Sequence, residues 1–200
     1  MRRLLLCIAP LFLFACADVE DDSDFRIING LPAPSSVPEY AATVGLKFKA
    51  GGNFFSSLPG CSGTLVADDV VLTAGHCMVN QKGANVTVKN PSDVLVWFGQ
   101  NSSTGTNAAV SEVLVHPNFN PFTLLNDIAL VRLSAPATVE PVPPLPASIG
   151  IDADDIGTVL DFVGFGYSNV AKTQYGVKLH NDLPIAALGC PQTGSSVRSF

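Results

Sequence analysis

Eight short apolar or alternating runs, at residues 42–48, 63–66, 70–73, 86–89, 94–98, 109–115, 128–133 and 160–163, are cut apart by Gly, Pro, Asn and Ser. No segment carries a sustained 3.6-residue period, so amphipathic helices are not available to cover a core. Many short strands at close spacing fold as an all-β barrel or sandwich. With 200 residues and 47% apolar content the chain has material for a substantial core, in one large domain or two small ones. Pro-Val-Pro-Pro-Leu-Pro at 141–146 cannot lie in a central strand, because proline lacks the ladder donor. It is the natural linker between an N-terminal unit, 27–140, and a C-terminal one, 141–200. The polar stretch 101–107 reads as a loop.

The first residues have the layout of an export signal. Arg2 and Arg3 precede an apolar run at 4–15 that is shorter than the ~20 residues a spanning helix needs. Two exits follow from a signal at 1–17. Ala15-Cys16-Ala17 fits small-x-small cleavage, and Leu13-Phe14-Ala15-Cys16 resembles a bacterial lipobox, in which Cys16 takes a lipid and anchors the chain to a membrane. Either exit puts the folded chain outside the cytoplasm. An acidic spacer at 18–26 follows, holding Asp18, Glu20, Asp21, Asp22 and Asp24. The formal charge of −6 and a pI near 4.8 make nucleic acid or an anionic membrane surface a repelled partner.

Cysteine usage agrees with export. Past the leader only Cys61, Cys77 and Cys190 remain. A bridge between Cys61 and Cys77 closes a short loop and contributes roughly 3 kcal/mol in the chain-entropy model, and an oxidising compartment makes it the default pairing. The competing metal reading is weak: His76 beside Cys77 with distant further cysteines lacks the spacing of a structural zinc site, and no metal or cofactor is expected. Cys190 has no evident partner.

Two motifs carry chemistry. Leu72-Thr73-Ala74-Gly75-His76-Cys77 sets a histidine at the end of an apolar strand, and Asn126-Asp127-Ile128-Ala129-Leu130 sets an aspartate at the start of another. Around them stand Arg26-Ile27-Ile28-Asn29-Gly30, Cys61-Ser62-Gly63-Thr64-Leu65-Val66, Val115-His116-Pro117-Asn118-Phe119 and Val163-Gly164-Phe165-Gly166-Tyr167. In this order the motifs resemble those of the trypsin/chymotrypsin family of serine endopeptidases, from Arg26 to about Tyr167. The resemblance implies a chymotrypsin-like double β-barrel, the first barrel complete and the second partial, and hydrolysis of polypeptide substrates. It implies that His76 is the general base, Asp127 the carboxylate that orients it, and Cys77, bridged to Cys61, the pin on the histidine turn. It also implies an activation junction at Arg26 and Ile27, where cleavage frees the Ile27 amine. His116 and His180 carry no catalytic role in this reading.

The chain departs from the family at the nucleophile. No serine after Asp127 lies in a Gly-Asp-Ser-Gly-Gly setting; Gly194-Ser195-Ser196 lacks the preceding aspartate and following glycines and reads as a polar tail. Losing the nucleophile costs on the order of 10⁶ in turnover. Two readings follow. One is an endopeptidase whose sequence is cut short and inactive in this form, a neighbouring reading frame encoding the missing segment. The other is a non-catalytic binding protein on the same fold. Retention of both His76 and Asp127 favours the first. On this basis the chain is expected to be ordered over 27–140 and loosely held from about 172.

Overall fold

The computed structural model describes residues 27–51, 54–101, 104–169, 171, 173–185 and 188. The expected leader with Cys16, the spacer with Arg26, and the tail with Cys190, Ser195 and Ser196 lie outside the described residues. The strands are β1 (Leu31–Pro32), β2 (Thr43–Gly51), β3 (Phe54–Phe55), β4 (Cys61–Ala67), β5 (Val70–Thr73), β6 (Val79–Lys82) and β7 (Asn85–Val88). They continue with β8 (Val94–Asn101), β9 (Thr104–Val115), β10 (Ala129–Leu133), β11 (Val159–Gly164) and β12 (Leu179–Pro184). The one α-helix among the described residues, α1 (Pro38–Ala41), has four residues. No helix among them is long and apolar enough to cross a membrane.

Six strands close into a barrel. The antiparallel order β2-β4-β5-β10-β9-β8 returns on itself through a β2–β8 pairing, with β3 extending β2 outside the ring. Alternation along each strand explains which residues fill it. In β10, Ala129, Val131 and Leu133 are buried while Leu130 and Arg132 face out. Val44 and Leu46 of β2, Leu65 of β4, Val71 of β5 and Val96 of β8 are fully buried and join them, with Met78 closing one end. Each such side chain contributes roughly 1.5–3 kcal/mol when removed from water. The strand expected at 70–73 runs over those residues, and those expected at 42–48, 63–66, 94–98 and 128–133 overlap β2, β4, β8 and β10.

Two expectations are corrected. Residues 104–107 belong to β9, which pairs with β8 through Trp97↔Asn107, Phe98↔Thr106 and Gly99↔Gly105. This hairpin projects with residues 104–107 exposed, so its strands need no apolar alternation, and the turn is held by Asn101 Oδ1, which accepts from the Thr104 N–H at 3.1 Å. Secondly, among the described residues the stretch beyond 172 contains a strand, since β12 pairs with β11 over six positions and with β1 over two. Its start is buried, with Lys178 and Leu179 turned inward.

The second sheet, β1-β12-β11, rests on the barrel beside β2 and β4. Phe165 is buried there, and its N–H donates to Ser62 Oγ at 2.9 Å. Lys178 Nζ donates to the Tyr40 carbonyl at 2.6 Å. Between β10 and β11, residues 134–158 contain no strand, only two 3₁₀ turns, as the proline run at 141–146 requires. The Val142 N–H donates to the Leu65 carbonyl at 2.9 Å and ties this connection to the barrel wall.

Candidate active site

Neighbouring antiparallel strands bring the two motifs together. Thr73, the last residue of β5, lies opposite Ala129, the first of β10. The chain leaving β5 and the chain entering β10 therefore occupy the same end of the barrel, within three residues of that pair. After Thr73 the backbone tightens into a 3₁₀ turn, Gly75–Met78, which carries His76. A Cβ on Gly75 would sit 3.2 Å from both Asp127 Oδ1 and the Phe119 ring, a tight approach in which one of these neighbours would have to shift by a few tenths of an ångström.

The carboxylate of Asp127 grips His76 twice. Its Oδ2 lies 2.7 Å from the imidazole Nδ1, and its Oδ1 accepts the His76 backbone N–H at 2.7 Å. The two side chains are 26% and 20% exposed, enough shelter to strengthen both hydrogen bonds while leaving the site reachable. An ionised carboxylate only accepts, so Nδ1 must carry the ring proton, and Nε2 is then the basic nitrogen of the neutral ring. The pair can take up a proton at Nε2 and stabilise the resulting imidazolium without reorienting.

The approach to Asp127 is held by asparagines: Asn118 and Asn126 stand within the motifs with no role assigned to them, and Asn120 stands outside the motifs. Asn120 Oδ1 accepts the N–H groups of Phe122 and Thr123 at 2.9 and 3.2 Å, and Asn126 Nδ2 donates to the Asn118 carbonyl at 2.9 Å. Asn126 takes φ +56°, a left-handed conformation that asparagine tolerates better than most residues. The density of asparagine at 118, 120 and 126 was the available signal, since this side chain closes local turns on backbone groups. His116 belongs to the same turn: its Nδ1 accepts the Asn118 N–H at 3.2 Å, and its own backbone N–H donates to the Ile128 carbonyl.

Cys61, at the start of β4, is bonded to Cys77, so the turn bearing His76 is tied covalently to the barrel. Cys61, His76 and Cys77 cluster closely enough to suggest metal ligation, but both sulfurs are committed to each other. Ile27 sits against the Gly-aromatic-Gly segment, its N–H donating to the Tyr167 carbonyl at 2.9 Å. His180 lies elsewhere, on β12 beside Asp161 and Tyr40.

The trypsin family model matches residues 31–185. Trypsin of Sarcophaga bullata is 29% identical over 136 residues, covering 66% of this chain and 48% of that protein. Serine protease 56 of Mus musculus is 33% identical over 147 residues, covering 70% and 21%. Trypsin eta of Drosophila melanogaster is 27% identical over 171 residues, covering 84% and 61%. The chain thus spans about half the length, or less, of several curated relatives it matches. A solved structure of GrC superposes with a TM-score of 0.60 at 24% identity, over 80% of this chain and 66% of that one, a likeness of fold. A match over most of the chain, together with the closed barrel, shows that this protein belongs to the trypsin family of serine endopeptidases.

Proposed function

We propose that this chain supplies the base half of a peptide-hydrolysing triad, with His76 as general base and Asp127 as the carboxylate that orients it. The observation that carries the reading is the double grip of Asp127 on the His76 ring and backbone. In this chemistry Nε2 of His76 takes the proton of a hydroxyl nucleophile as it attacks the scissile carbonyl, then returns it to the leaving amine. Asp127 keeps the ring in the required tautomer and offsets the charge that develops on it. The Cys61–Cys77 bridge fixes the histidine turn, and no cofactor is required. Polypeptides are the substrate class.

The 200 residues hold no serine in a Gly-Asp-Ser-Gly-Gly setting, and in our reading this chain by itself does not turn over peptides. The disulfide and the sequence of the leader support a location outside the cytoplasm. Cleavage after Arg26 would convert the Ile27 N–H that faces Tyr167 into a charged amine. The test is direct. The purified chain is incubated with peptide ester and amide substrates and with a fluorophosphonate probe; neither turnover nor labelling is expected. Stoichiometric labelling of Ser195 or Ser196 would overturn the inactive reading.

A further inference from the structure

The β11–β12 hairpin sets two carboxylates face to face. Asp161 and Asp182 are direct cross-strand partners, and His180, two residues before Asp182, lies on the same face opposite Val163. Like charges directly opposite on neighbouring strands destabilise a sheet, so this register favours a cation between them. Ligand atoms of Asp161, His180 and Asp182 all lie within 4.8 Å of one another. We propose that these three residues form a site for a divalent transition metal of the zinc class.

The surroundings already orient the donors. The Tyr40 hydroxyl donates to Asp161 Oδ2 at 2.6 Å, which turns Oδ1 toward His180 Nδ1, 3.1 Å away. The Tyr40 ring lies 4.8 Å from the His180 ring at 32°, fixing the plane of the imidazole. The phenol proton is spent on Asp161, so the proton between His180 and Asp161 belongs to Nδ1, and an ion seated there takes its place. The negative field of the pair reaches the phenol, whose pKa is pushed up to about 12 by the hydrogen bond to Asp161, by desolvation and by the charges of Asp161 and Asp182. One imidazole with two carboxylates suits zinc, with water completing the shell. Calcium requires six to eight oxygens and gains nothing from the imidazole. The side chains of His180 and Asp161 are 20% and 33% exposed, so an ion has protein on one side and solvent on the other. It would clip β11 to β12 and, through Tyr40, hold the hairpin to α1.

Zinc titration of the full chain after chelator treatment tests this, read by calorimetry and by the thermal midpoint. One equivalent is expected to bind and to raise Tm with zinc concentration. His180→Gln and Asp182→Asn should each abolish that binding, while Tyr40→Phe, which removes only the orienting hydroxyl, weakens it about tenfold. His76→Ala should leave it unchanged. Should His180→Gln fail to fold, Asp182→Asn and Tyr40→Phe still decide the matter, together with zinc-induced shifts of the His180 ring in NMR spectra of the unsubstituted chain. The proposal is overturned by any of three results: no heat and no Tm shift up to millimolar zinc, affinity unchanged in Asp182→Asn, or binding lost in His76→Ala.

Discussion

Lys178 is a full-length cationic side chain with no exposed surface. Its amine donates to the Tyr40 carbonyl and lies 5.7 Å from the Phe165 ring, with no carboxylate paired to it among the described residues. Burial pushes its pKa down to about 8. Between that value and the ordinary lysine range near 10.5 the unfolded chain holds the proton more firmly than the folded one, so stability rises with pH across the window. The span corresponds to something on the order of 3 kcal/mol. Urea unfolding from pH 8 to 10 should show this rise, and Lys178→Met should flatten it. A rise that survives the substitution would locate its origin elsewhere. Tyr40, held protonated to about 12, acts in the opposite sense, but only above about pH 10. Neither residue stands out in the sequence. Their roles arise from contacts across more than a hundred positions, whereas His76 and Asp127 are legible because each sits in a short motif attached to a strand end.

At the scale of elements, what could be read was the alternation of strands that face a core on one side. Strands β2, β4, β5 and β10 carry that pattern, and the proline run marked the break after the barrel. The outer half of the β8–β9 hairpin and most of β12 do not, because Thr104, Asn107, His180, Asn181 and Asp182 are held by backbone ladders without an apolar face to bury. The hairpin depends on a glycine pair instead. Gly105 has φ +150°, and a Cβ there would collide with the Phe98 carbonyl and approach Gly99 Cα to 2.7 Å. Gly105→Ala should therefore lower the unfolding free energy by about 1–3 kcal/mol; a loss below measurement error would mean the hairpin relaxes freely. The Cys61–Cys77 bridge acts between β4 and the histidine turn. Replacing both cysteines by serine should cost about 2–5 kcal/mol in thermal unfolding, and a smaller loss would mean that packing of Met78 and its neighbours already fixes the turn.

Across the whole molecule, a closed barrel delivers His76 and Asp127 at one end, and a three-stranded sheet packs beside it through Phe165 and Lys178. The family and the barrel were readable from the motifs in order, while the docking of the second sheet was not, since Ser62 Oγ meeting the Phe165 N–H leaves no trace in either local sequence. In the proposed site Asp127 sets the state of the His76 ring. The most direct measurement is the ¹⁵N NMR spectrum of the His76 imidazole in the full chain at alkaline pH, with and without Asp127→Asn. A neutral ring protonated at Nδ1 and unprotonated at Nε2 is expected, with loss of that preference in the variant, whose amide can present N–H to Nδ1. A ring protonated at Nε2 in the unsubstituted chain, or a tautomer indifferent to the substitution, would contradict it.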